Sequence, residues 1–168
     1  MLRFSLLTAV AIAINYFDPP LPFLPGAKLG LSQISTMLCL EMYGGLAAVA
    51  LVVLRVLATG VIKGNLMTIT SVLSLGGSLA AVVVMVLVQR VFGRRIGLPT
   101  VSTFGGLCNN ISQYLLLLIT HTVGTLWYYL PVLVVAGAAA GYLIGLVSLA
   151  ILSRLDRALH GGIPLELW

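Results

Sequence analysis

The stretches Leu79–Val88, LAAVVVMVLV, and Leu130–Ala140, LPVLVVAGAAA, decide the fold, because neither leaves a polar face for water. A transmembrane barrel strand alternates apolar and polar residues over about ten positions, and a surface helix keeps a polar stripe. These stretches do neither. They read as helices enclosed by hydrocarbon or by other apolar helices, with their backbone groups bonded internally. The composition around them agrees: 60% of the 168 residues are hydrophobic and 8% are charged, against roughly 25% charged in an ordinary soluble domain. The mean hydropathy of +1.15 fits a chain that lies mostly within a bilayer.

At about 20 residues per span, the chain accommodates roughly six helices and no separate soluble domain. Apolar runs place them at 2–17, 29–43, 45–62, 66–92, 99–120 and 127–153, all within one membrane domain covering 1–168. The breaks are chemically distinct. Asp18-Pro19-Pro20, with Pro22 and Pro25, cannot continue a helix, and Gly44-Gly45 leaves room only for a tight turn. Lys63-Gly64-Asn65 and Gly93-Arg94-Arg95 supply short polar interruptions. The small-residue triplets Ala9–Ala11 and Ala11–Ala13 lie inside the first apolar run and not after it, which favours an uncleaved span over a signal peptide.

Six spans put both termini on one side. That side would hold Arg3, Arg90, Arg94, Arg95, Arg154 and Arg157, and the other only Lys28 and Lys63. The positive-inside rule then makes the termini cytoplasmic in a multi-pass protein of the cell membrane. The net charge of +5 needs no nucleic-acid partner, since cytoplasmic arginines beside anionic lipid account for it.

Several chemistries are excluded. The sequence has no G-x-x-x-x-G-K-[ST] loop, H-E-x-x-H or C-x-x-C, so neither ATP hydrolysis by the usual loop nor a recognisable zinc site is present. No cofactor is expected, and any ATP energy has to come from a partner. Cys39 and Cys108 lie in apolar stretches and read as free thiols.

The informative residues are polar ones at depth. Counting about 1.5 Å per residue from the cytoplasmic ends puts Arg55 about 15 Å up the third span and Asn109-Asn110 about as far up the fifth. The same reading places Gln33 and Gln113 in the outer third. Together they form a column running from mid-membrane outward to Lys28, Lys63, Asn65 and His121, as a solute site open to the outside would require. An intramembrane arginine is costly and faces the bundle interior, so Arg55 is either a ligand contact or a structural tie to Asn109 or to free carbonyls. The same two readings stand for the asparagines and glutamines, as ligand contacts or interhelical hydrogen-bond glue. Tyr128, beside Trp127 and Tyr129, either stacks on a ligand ring or belongs to an interfacial aromatic belt. Lys28 and Lys63 either attract an anionic solute or anchor the interface, and Glu41 reads as a member of a proton relay or, in preference, as a cap or the partner of a nearby Arg. Two small-residue ridges, Ala9/Ala13 and Gly137/Gly141/Gly145, invite close helix approach from this chain or from another.

A resemblance follows from these motifs. Pro19-Pro20-Leu21-Pro22, then Pro25-Gly26-Ala27-Lys28-Leu29-Gly30-Leu31, is similar to the signature of the Gx transporter family, also labelled heptaprenyl diphosphate synthase component I. Leu54-Arg55, the Lys63-Gly64 turn, Asn109-Asn110-Ile111-Ser112-Gln113 and Tyr129-Leu130-Pro131 before the glycine ridge extend it over nearly the whole chain. The family more often has His where this chain has Asn109. It resembles the substrate-binding S components of energy-coupling factor (ECF) transporters, which are six-helix membrane proteins.

That resemblance implies capture of a small vitamin-like or isoprenoid or quinone-precursor solute on the outer side, for uptake with a membrane coupling protein and two ATPases. It also implies that Ala9 and Ala13 contact the coupling protein. Arg55, Asn109, Asn110 and Gln113 would form the floor of the site, and Lys28, Gln33, Lys63 and Asn65 its mouth. Prenyl elongation uses aspartate-rich motifs to hold magnesium, and the only aspartates of the chain are the isolated Asp18 and Asp156, so no enzyme activity is expected. The alternatives are a non-catalytic membrane subunit associated with a prenyl diphosphate synthase, docking through its cytoplasmic arginines and the Leu155–Trp168 tail, or a lipid-handling membrane protein.

Overall fold

The structure, a computed structural model, describes residues 2–18, 30–64, 68–120 and 130–160. They form six helices: α1 Leu2–Phe17, α2 Ser32–Tyr43, α3 Gly45–Ile62, α4 Ile69–Phe92, α5 Leu98–Thr120 and α6 Leu130–His160. A single 3-10 turn, Gly93–Arg95, joins α4 to α5, and the described residues contain no strand. The first and third helices have the bounds expected from their apolar runs. The fourth starts at Ile69 and not at 66, the fifth at Leu98 and not at 99, and two others also change. The second helix starts at Ser32, after a turn in which the Gln33 N–H donates to Gly30 O at 2.8 Å, so it is 12 residues long. The sixth runs on past Ser153 to His160, because no Gly or Pro interrupts the chain before Gly161.

Three helices are long and apolar enough to cross a membrane: α3, α4 and the Leu130–Leu155 part of α6. The apolar Phe4–Phe17 segment of α1 is shorter. At about 1.5 Å per residue, α2 reaches only about 18 Å, well short of the roughly 30 Å hydrocarbon core. It is also the most enclosed helix, packing against α1, α3, α4 and α6 with Ser32, Gln33 and Ser35–Leu40 buried. A short helix is tolerated at membrane depth when protein, not lipid, surrounds its ends. The fifth helix has the length, at 23 residues, but the polar run Asn109–Gln113 lowers its hydropathy.

The turn between α2 and α3 is made by Gly44, whose φ of +86° is strained for any residue with a Cβ; its N–H donates to Leu40 O at 3.0 Å. This reversal sets α2 antiparallel to α3. On the other side of α2, Phe4 of α1 meets Tyr43 edge-on, with ring centroids 5.6 Å apart. The core joins Met37, Cys39 and Leu40 of α2 to Ala11 of α1, Leu51 and Val52 of α3, Val82 and Met85 of α4, Val101 of α5 and Leu152 of α6.

The tightest contact is between α5 and α6. A Cβ built on Gly141 would stand 2.6 Å from Ser102 O, one on Gly106 would stand 2.5 Å from Gly137 O, and one on Gly145 would stand 2.4 Å from Pro99 Cα. The glycine ridge of α6 is therefore spent on α5 of the same chain. The outward surface is strongly apolar: Leu46 is 91%, Ile119 82% and Phe17 79% exposed. Such a surface suits lipid and not water.

Candidate functional site

Arg55 lies at the centre of the polar residues, on the face of α3 that meets α2 and α4, and is 2% exposed. Its Nη1 donates to Ser32 O and to Thr36 Oγ1, the latter at 3.2 Å, and its Nη2 donates to Ser78 Oγ at 3.2 Å. Its Nε–H is buried without a hydrogen-bond acceptor. Arginine carries five donors and no acceptor, so these neutral partners hold its position but do not neutralise its charge.

The structure explains where those partners come from. Ser32 and Thr36 stand four apart on α2, and the Thr36 hydroxyl donates back to Ser32 O at 3.4 Å. Arg55 and Thr59 stand four apart on α3, and the Thr59 hydroxyl donates to Arg55 O at 2.7 Å while accepting from Asn15 Nδ2 of α1 at 3.0 Å. Residues four apart share one helix face: Ser32 and Thr36 both meet Arg55, while Arg55 reaches α2 and α4 and Thr59 reaches α1. Asp18, three residues beyond Asn15, is 1% exposed and close enough for its charge to act on Arg55. The buried cation is thus not isolated from negative charge.

Beside the guanidinium is a small cleft lined by Gly30, Ser32, Gln33, Thr36, Ser78 and Asn109, with Ala81 and Met85 as its apolar part. It measures about 280 Å³ with its open mouth, of which about 20 Å³ admits the centre of a water molecule. That inner volume holds about one water or one ligand oxygen.

Each residue of the expected column can now be placed. Asn109 faces this cleft and accepts from Gln113 Nε2 at 3.1 Å. Both side chains enter α4 at Gly77, where an added Cβ would lie 2.6 Å from Asn109 Oδ1 and 2.8 Å from Gln113 Cγ. Asn110 turns the other way: one residue along a helix rotates the side chain by about 100°, and its Nδ2 donates to Leu133 O of α6 at 3.0 Å. Of the four residues expected at the floor, Arg55 and Asn109 line the cleft and Gln113 supports Asn109. Asn110 ties α5 to α6.

Gln33 needs a correction in height. It is the second residue of the shortened α2, about 15 Å from the Tyr43 end and level with Arg55. Its Nε2 donates to Ser102 O at 3.3 Å, near the start of α5. It belongs to the floor, not to the outer third. Lys63 is exposed at the end of α3 with its Nζ 5.3 Å from the Tyr16 ring centre, and does not line the cleft. Glu41 accepts from Gln89 Nε2 of α4. Lys28, Asn65, His121 and Tyr128 lie outside the described residues. Ala9 and Ala13 both face outward on α1, opposite the buried Ala11 and Asn15.

Asn15, Thr36, Thr59, Ser78 and Gly77 carry little signal singly in the sequence, and Asp18 reads there only as a helix break and an isolated aspartate. Hydroxyls are common in apolar helices and say little singly. The recoverable signal was pairing: Ser32/Thr36, Arg55/Thr59 and Ser74/Ser78 are each four apart, and Asn15/Asp18 three apart.

An all-helical membrane protein with a buried arginine opening onto a small polar cleft is the class defined by this fold and geometry. The chain belongs to the heptaprenyl diphosphate synthase component I family, which matches residues 7–151 and so includes every residue that lines the cleft. No curated protein and no solved structure matches the chain.

Proposed function

We propose that the chain is the substrate-binding component of an ECF-type uptake transporter in the cytoplasmic membrane, with six spans, both termini cytoplasmic and a small solute captured from the outer side. The observation that carries this reading is Arg55, buried at mid-helix and opening onto a cleft of hydroxyl and amide groups. A purely structural arginine has no need of a cleft. The chain performs no chemistry on the solute. Two ATPases, acting through a membrane coupling protein, drive reorientation and release, and the outward Ala9/Ala13 face of α1 receives that coupling protein.

The test is a mild-detergent pull-down of the tagged chain from its native membrane, with mass spectrometry of both proteins and small molecules. Recovery of a coupling protein with an ATPase pair is the expected outcome, and a co-purifying solute identifies the cargo. Arg55→Ala is expected to lose that solute while still giving a monodisperse detergent-solubilised protein. Aggregation of the variant would instead make Arg55 a structural tie.

The family's description favours a second reading, a non-catalytic membrane subunit that holds a prenyl diphosphate synthase at the membrane. That subunit would dock through Arg94, Arg95 and the tail after Leu155. Recovery of a prenyl synthase without ATPases, abolished by Arg94→Ala with Arg95→Ala, would replace the first reading by this one.

A further inference from the structure

The geometry points to an oxyanion, a carboxylate or phosphoryl group on the solute, as the chemical feature that the Arg55 cleft recognises. This rests on the reading of the cleft as a solute site, and it narrows the class of solute.

Three observations carry it. First, the guanidinium is held by Ser32 O, Thr36 Oγ1 and Ser78 Oγ, all of them neutral, and its Nε–H has no acceptor. Nη2 meets only a serine hydroxyl, which can rotate to donate to an incoming oxygen. Second, the cleft lining contains the cation, hydroxyls and amides but no carboxylate, and Asn109 and Gln33 add amide groups beside Ser32, Thr36 and Ser78. An anion entering there meets donors, and no carboxylate among the described residues lines the cleft. A cation would meet Arg55. Third, the inner space of about 20 Å³ is small and opens to a wider mouth, so a compact terminal group enters and the body of the molecule stays in the mouth.

Asp18 gives the inference a sign. Its charge acts on Arg55 from outside the cleft lining, so a ligand oxyanion shares the arginine with a resident carboxylate. Neutralising Asp18 removes that competition and strengthens anion binding. A site for a neutral ligand would gain nothing from the change.

The experiment is thermal unfolding of the detergent-purified full chain with acetate, inorganic phosphate and inorganic pyrophosphate, each added at ionic strength matched with sodium chloride. We expect a saturable rise in melting temperature of several degrees with at least one of them. Acetate as the effective ion makes the recognised group a carboxylate, and phosphate or pyrophosphate makes it phosphoryl. Arg55→Gln should abolish the rise, and Asp18→Asn should move its midpoint to several-fold lower concentration. If Arg55→Gln does not fold, Ser78→Ala replaces it, with a several-fold higher midpoint expected. A response no greater than that to chloride, or one that survives Arg55→Gln or is unmoved in both Asp18→Asn and Ser78→Ala, overturns the inference. The two readings fail separately: a flat anion titration beside a recovered ATPase pair removes the oxyanion and keeps uptake, whereas a saturable titration without ATPases does the reverse.

Discussion

Two ridges of small residues share one spacing and meet opposite fates. Ala9 and Ala13 stand four apart on α1 and face outward, while Gly137, Gly141 and Gly145 repeat the same step on α6 and are buried against α5. The difference is one methyl group per position. Glycine admits a neighbouring backbone to distances that a Cβ forbids, and α5 answers with Gly106 and the Ser102 and Pro99 backbone. The alanine ridge has no such partner among the described residues, and exposed Leu6, Val10 and Phe17 surround it. Spacing thus marks a surface made for close approach. It does not say which helix approaches.

The comparison breaks most visibly at Gly141. Gly141→Leu drives a side chain into Ser102 O and Thr103 Cα, which are backbone and cannot swing aside, so no folded monodisperse protein is expected on size-exclusion chromatography. Gly141→Ala is the milder form, with a loss near the top of the about 1–3 kcal/mol range for overpacking, read by thermal unfolding. The paired change Ala9→Leu with Ala13→Leu sharpens the other side. Both positions face outward, so stability should stay within about 0.5 kcal/mol, while co-purification of the coupling protein should fall by about tenfold, equivalent to about 1.4 kcal/mol. Unchanged co-purification would remove the ridge from the partner interface.

Smaller effects separate the two asparagines. Asn110→Ala removes the bond to Leu133 O and should cost about 0.6 kcal/mol in thermal unfolding, the usual value for such a bond between membrane helices, with solute retention intact. Asn109→Ala should do the reverse, because Asn109 lines the cleft. A stability loss at Asn109 larger than at Asn110 would exchange their roles. Lys63→Ala should have the least effect, a few tenths of a kcal/mol from an exposed cation–π contact with Tyr16, on the same unfolding assay.

Much of this was legible in the chain because it follows from local composition. Runs without a polar face specify membrane helices wherever they occur, and the bounds of α1 and α3 needed only the breaks at Asp18 and Lys63 and the turn at Gly44. A lone arginine among apolar residues marks the interior of a bundle, because lipid will not solvate it. Other features depended on which helix stands opposite. Asn109 and Asn110 are adjacent and chemically identical, yet the first meets the cleft and the second α6. Gln33 is level with Arg55 because ten residues separate each from its own end of the Gly44 turn, and the shortness of α2 is tolerated because four other helices enclose it.

The sequence by itself determined the solvent: a chain this apolar, with helical runs of this length, folds in lipid, and its few deep polar side chains turn inward. It determined the family as well, through motifs in fixed order. Tertiary structure alone decided which polar residues meet, that the glycine ridge closes on its own chain, and that Arg55 meets only neutral hydrogen-bond partners beside a small polar cleft. The physical reason is that desolvation acts on each residue where it stands, while a hydrogen bond or a backbone contact needs two helices at one height and facing angle.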